Sequence, residues 1–205
     1  MPQQVPTVAE SLELVFELFR ANFRDLNLML HRFGDPEYVF QVRKLGRFAD
    51  EDVPFSTQLT QRLHNYLSSL ATLIDHTRRV MRGTGIDPGI RKAYEERVLR
   101  DFEESPSAGF LKDLRNYMLH YKLPATVARW DETGPDASSI NNSDVELHLD
   151  VMKDWPGWSE RARAFIDSEG PVTRLLPLVS GYTDKVFELY RWLLAELPKV
   201  EDQGD

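Results

Sequence analysis

Cysteine is absent from the 205 residues. Its absence excludes disulfides, thiolate metal ligands and a cysteine nucleophile, and it suits a reducing cytoplasm. No run of about 18 apolar residues occurs, the length a helix needs to span a bilayer. The opening Met1-Pro2-Gln3-Gln4-Val5-Pro6 has neither a basic start nor an apolar stretch, so it does not read as a secretory signal. The phosphate-binding Gly-rich loop, Gly-x-Ser-x-Gly and His-Glu-x-x-His are all missing. No two of the five histidines, His31, His64, His76, His120 and His148, stand at helical metal-ligand spacing, so neither a metal nor a cofactor is expected. No internal repeat and no interdomain linker interrupts the chain. The expectation is one soluble, cytoplasmic domain over residues 1–205.

What the chain does contain is ordinary globular composition, 41% hydrophobic and 28% charged. The net charge of −8 argues against coating DNA or an anionic membrane. That charge is uneven. Between His76 and Arg129 eleven Lys/Arg face seven Asp/Glu, a local net of +4 on an otherwise acidic chain. Such charges commonly only solvate helix faces; here they also offer one anion-tolerant surface.

Helical signals dominate. Thr7-Val8-Ala9-Glu10 is a capping box. Leu12, Val15, Phe16, Phe19, Phe23, Leu26 and Leu30 follow at spacings of three and four, predicting a helix to about Phe33. Asp35-Pro36 starts a second helix, to about Phe48. A third runs from near Ser56 to Arg82, with Leu59, Leu63, Tyr66, Leu70, Leu73, Ile74, Thr77 and Met81 on one stripe. Asp87-Pro88 opens a fourth, through Phe102, and Ser105-Pro106 a fifth, to about Tyr121.

The period then changes to two over Thr126–Trp130 and Val145–Val151, around a stretch rich in turn formers, which predicts a β-hairpin with a long, mobile loop. Helices resume near Ser159 and near Pro171, the last ending about Leu197 with a possible kink at Pro177. Residues 199–205 read as a disordered acidic tail. The fold class predicted is mainly α: a bundle of six or more helices with a small β-hairpin near 126–151.

One segment stands out, Leu111-Lys112-Asp113-Leu114-Arg115-Asn116-Tyr117-Met118-Leu119-His120-Tyr121-Lys122. Arg115-Asn116-x-x-x-His120, near the end of an amphipathic helix, resembles the Arg-x(4–6)-His signature of the HEPN superfamily. The region from about Ser56 to Leu123 is compatible with that family's helical core. The resemblance implies a homodimer with the two motif helices meeting at the subunit boundary. It implies a metal-independent ribonuclease of a bacterial toxin–antitoxin, phage-defence or RNA-processing system. A tyrosine two residues after the histidine is modified by a partner enzyme in part of the family. Here Tyr121 comes one residue after and position 122 is lysine, so the pattern departs.

The residues can be read chemically without the family. Cleaving RNA through its own 2′-hydroxyl needs a proton acceptor, a proton donor and a cation for the developing charge. His titrates near neutral pH and can take either proton role. Arg stays charged and grips phosphate with two parallel donors. Asn can hold the imidazole or a phosphate oxygen. Asn116 and His120 are neighbours at i and i+4. Arg115 and His120, at i and i+5, lie about 140° apart around a helix axis. They converge only if the helix end unwinds, the Arg side chain folds over, or a second subunit completes the site.

The structural alternative is that Arg115 pairs with an acid across a helix contact and His120 simply caps the helix end. Auxiliary candidates are His76 and Arg79, on a polar stripe with Asn65, Ser69 and Thr72, and Tyr121. The four tryptophans suit packing better than base stacking, and His148 reads as a surface residue. Two functions follow: an endoribonuclease acting through Arg115, Asn116 and His120, or a non-catalytic helical interaction module, adaptor or antitoxin-like, bound to a cognate protein.

Overall fold

The structure is a computed structural model that describes residues 7–48 and 50–197. Helix α1, Val8–Arg32, begins at the capping box: Glu10 N donates to Thr7 Oγ1 at 3.1 Å, and Thr7 N donates to the Glu10 carboxylate at 2.7 Å. Asp35 caps α2, Pro36–Leu45, with Pro36 at its first position. Gly46, at φ 70°, ends α2 in the left-handed conformation, short of the Phe48 expected from periodicity. The turn frees Phe48 to enter the core edge-on to Phe55, 5.5 Å between ring centres. Helix α3, Phe55–Arg82, spans 28 residues. Helix α4, Pro88–Val98, continues into a π-helical turn, Leu99–Glu103, and α5 is Pro106–His120.

Strand β1, Thr126–Glu132, pairs antiparallel with β2, Ile140–His148, so a hairpin forms where alternation placed one. Its details differ from expectation. Much of the supposed loop is ordered, as a 3-10 turn at Ala137–Ser139 and the first residues of β2. Beyond His148 the chain coils into α6, Leu149–Met152, so Leu149 and Val151 are helical. After α7, Glu160–Glu169, a short β3, Val172–Arg174, adds antiparallel to β2 with Leu147 opposite Thr173. The sheet therefore has three strands, not two. Three residues are too few for a period to register, and only the fold-back after α7 brings them beside β2.

Helix α8, Leu175–Glu196, starts after β3 and not at Pro171. Pro177 falls in its first turn, where amide groups have no intrahelical acceptor, so the ring is accommodated without loss of a helical hydrogen bond. Eight α-helices thus stand among the described residues. The tail at 199–205 lies outside the described residues.

Buried apolar side chains form one cluster joining α1, α3, α5, α7, α8 and the sheet. Full burial of such a side chain contributes about 1.5–3 kcal/mol. Phe16 stacks on Tyr190 at 5.1 Å. Two core phenols find partners: Tyr66 Oη with Thr183 Oγ1 at 2.9 Å, and Tyr190 Oη with Thr77 Oγ1. A second aromatic group holds α5 to α7, where Trp158 stacks on Phe110 at 5.3 Å and on Tyr117 at 5.5 Å. Its indole donates to the Met152 carbonyl at 2.8 Å. Trp130 sits against Phe33, and Arg97 lies over Trp192. No described helix is long and apolar enough to cross a membrane.

Candidate functional site

Helices α3 and α5 run past one another and leave a cleft of about 140 Å³ between them. From α5 the residues at the i, i+1, i+4, i+5 positions line it: Leu111, Lys112, Arg115 and Asn116. From α3 come Leu67, Leu70 and Ala71, then Ile74, Asp75 and Arg78; Tyr182 of α8 closes one side. Leu67, Leu70 and Leu111 are anchored in the core, which fixes the helix faces that line the cleft.

Arg115 is half-buried in this wall. Its Nε is buried without a hydrogen-bond partner, and the side chain forms no ion pair with any described residue. The expected alternative, an Arg115 paired with an acid across a helix contact, is therefore not what the structure contains. Arg32 and Arg91 have a buried, unpartnered Nε as well, but their guanidinium groups are held by Asp50 and by the Gly83 carbonyl, whereas Arg115 has no hydrogen bond to any described residue. Lys112 makes no ion pair among the described residues. Arg78 lies 3.7 Å from Asp75, with both side chains about half exposed or more, an arrangement that contributes little to stability. The charge of Arg78 reaches inward as well. Burial pushes the phenols of Tyr94 and Tyr182 up, and the nearby guanidinium works against that rise in both.

The motif does not close within one chain. Asn116 lines the cleft beside Arg115, but His120 does not. Helix α5 stays regular through His120, with Tyr121 N and Lys122 N both bonded to the Tyr117 carbonyl at 3.0 Å, so its end does not unwind to bring the imidazole round. His120 is exposed at the helix terminus, in a stretch of chain that also exposes Leu119, Tyr121 and Leu123.

The auxiliary candidates fall elsewhere. His76 and Arg79 do not line the cleft, because the α3 face turned toward α5 carries Asp75 and Arg78, one residue away in each case. Ser69 of the same polar stripe is buried and bonded to the Tyr66 carbonyl at 3.0 Å. Tyr121 packs edge-on to Tyr117 at 5.3 Å and leans on Trp155, as part of the aromatic group between α5 and α7. His148 is half-buried, near Glu146 and Asp150, and not a free surface residue.

Sequence reasoning missed Lys112, Arg78 and Tyr182. Lys112 was legible, since it stands one turn before Arg115. Arg78 and Tyr182 required knowledge of which helices adjoin. Among the described residues no three His, Asp or Glu side chains stand together as a metal site. Comparison with protein-family models, with curated protein sequences and with solved structures matches this chain to none of them.

Proposed function

We propose that this protein is a HEPN-like, metal-independent endoribonuclease that holds an RNA phosphate at Arg115. The observation that carries the reading is the unpartnered Arg115 side chain, which lines a cleft together with Lys112 and Arg78. A guanidinium with free donors there suits a phosphate that it can grip through two parallel hydrogen bonds. Asn116, on the same wall, supplies a neutral donor for a further phosphate oxygen.

The reaction is attack of a ribose 2′-oxygen on the adjacent phosphorus. The 2′-O–P bond forms, the P–O5′ bond breaks, and a cyclic phosphate and a 5′-hydroxyl result. His120 accepts the 2′-proton, and a protonated imidazole gives one to the departing 5′-oxygen. Since His120 stands outside the Arg115 cleft of its own chain, a second copy completes the site, with the two α5 helices side by side. The exposed Leu119, Tyr121 and Leu123 around His120 suit that association.

The test is purified protein on mixed single-stranded RNA, with and without EDTA, beside Arg115→Ala and His120→Ala, with oligomeric state from light scattering. Cleavage by a dimer that is lost in both variants supports the proposal. A strictly monomeric protein, or cleavage unchanged in His120→Ala, removes it. The same exposed apolar group around His120 favours a second reading, an antitoxin-like or adaptor module whose α5 end binds a cognate protein. No cleavage by the wild type, with stable binding of such a partner, would favour that one.

A further inference from the structure

Helix α1 buries one face and carries a second apolar face on its opposite side. Leu12, Phe16, Phe19, Leu26 and Leu30 are packed into the core. Leu14, Leu18 and Leu28 are 72%, 52% and 55% exposed. At about 100° per residue all three fall within about 60° of Ala21, across the helix axis from the buried stripe. A single exposed leucine is ordinary on a protein surface. Three on the outer face of one helix form a patch that marks an interaction surface.

The order of residues along this face reads alike in both directions. Half-buried Ala21 stands at its centre. Leu14 lies seven residues before it and Leu28 seven after; Glu17 lies four before it and Arg24 three after. Lay a second α1 antiparallel on the first, with the two-fold axis beside Ala21. Leu14 of each helix then meets Leu28 of the other. Glu17 and Arg24 share one flank of the stripe, and an antiparallel two-fold brings like flanks together. Each glutamate therefore meets the opposite arginine, giving two reciprocal ion pairs. The small Ala21 side chain at the axis suits a close helix spacing, toward the lower end of about 8–10 Å.

Within one chain these charges are held weakly. Glu17 pairs with Arg20 at 2.5 Å and Arg24 stands 4.0 Å from Asp25, each side chain more than half exposed. Such pairs contribute little and exchange readily for others. Leu18 and Asp25 occupy the other flank, at the rim.

We infer that the outer face of α1 is a docking surface for a second copy of this chain, packed antiparallel about Ala21. A self-inverse order of leucines and opposite charges is what an isologous contact requires, because the same patch must match itself. No α1 residue lines the Arg115 cleft, so the contact is independent of the nuclease reading and distinct from the association of α5 ends. Where both contacts form, more than two copies join. One helix pair makes a small interface, so the contact has a dissociation constant on the order of 10–100 µM.

The test is analytical ultracentrifugation of the full chain up to about 500 µM, where the dimer should dominate at that affinity. Glu17→Arg and Arg24→Glu should each weaken association about tenfold, since each sets like charges together. The double reversal Glu17→Arg/Arg24→Glu should restore it to within about threefold of wild type. The chain has no cysteine, so an engineered one reports its position cleanly. Ala21→Cys should oxidise to a disulfide-linked dimer, and Arg20→Cys, exposed but turned about 100° away, should not. Thermal melting checks that each variant folds.

Leu119→Lys/Leu123→Lys separates the two contacts. A dimer that survives it, and still cross-links through Ala21→Cys, belongs to α1. A dimer that it abolishes, while both single charge reversals leave association unchanged, belongs to α5 and overturns the inference. A wild type that stays monomeric at about 500 µM overturns it too. So does a double reversal no tighter than the single ones, or equal cross-linking at positions 20 and 21. An α1 dimer that leaves RNA uncut sinks the nuclease alone.

Discussion

Asp113 and Ser159 tie the motif helix to the start of α7: the Ser159 amide donates to Asp113 Oδ2 at 2.8 Å, and Asp113 is only 6% exposed. Ser159 caps α7, so its neighbourhood carries amide groups without helical acceptors and the positive end of the helix dipole. A buried carboxylate there satisfies both. Asp113→Ala should lower unfolding free energy by about 1.5–3 kcal/mol, the usual cost of losing a hydrogen bond to a charged group. Asp113→Asn, which keeps an acceptor, should lose less. Urea unfolding with an unchanged slope and a lowered midpoint is the readout.

Gly109 lets α5 and α7 approach. A methyl group at that position would stand 2.8 Å from Arg161 Cβ and 3.4 Å from the Ala162 amide nitrogen. Neither neighbour is the free end of a flexible chain, so the helices would have to move apart. Gly109→Ala should therefore destabilise by about 1–3 kcal/mol despite the better helix propensity of alanine.

Three buried phenols set the response to alkali. Burial pushes Tyr66, Tyr182 and Tyr190 far above the ordinary tyrosine range, with the hydrogen bonds to Thr183 and Thr77 only partly opposing this for Tyr66 and Tyr190. A raised folded-state value means the unfolded chain releases these protons first. Their stabilising effect is complete below about pH 10 and declines as pH rises beyond it. Each phenol should cost up to about 1.4 kcal/mol per pH unit in that window. Urea midpoints at pH 8, 10 and 11 should stay level and then drop. The tyrosinate absorbance of the three should appear only on unfolding.

Arg115→Ala should separate function from stability. Arg115 has no ion-pair partner to strand, so its removal should cost less than about 1 kcal/mol, chiefly from the stem packed on apolar surface. Under the proposed chemistry it should nevertheless abolish most RNA cleavage. His120→Ala should lower cleavage by about 10²–10⁴-fold, and Asn116→Ala by less, since it removes positioning and neither a proton nor a charge. Cleavage should survive EDTA and fall at high salt, because one local basic region must hold the RNA. Single-turnover rates on a defined oligonucleotide, beside thermal melting of each variant, check all three.

Local chemistry was legible in the chain. The Thr7–Glu10 box, Asp35-Pro36 and Asp87-Pro88 each start a helix by satisfying free amide groups, and Ser105-Pro106 starts α5 with the proline at its first position and no cap bond from Ser105. Spacings of three and four marked the faces that the core buries, and alternation located the hairpin. Lys112, Arg115 and Asn116 could be placed on one helix face from spacing alone.

What needed the folded chain was every feature that depends on a distant neighbour. Strand β3 exists because β2 lies beside it, and α8 starts after it for the same reason. Near α5 it is Asp75 and Arg78 that face Arg115, and not His76 and Arg79, because one residue on a helix is about 100° of rotation and the packing angle decides which survives in the cleft. Tyr182 joins them from more than sixty positions along the chain. Sequence determines what each helix offers on each face; only packing, driven by burial of apolar surface between helices, decides which faces meet and which donors are left without a partner.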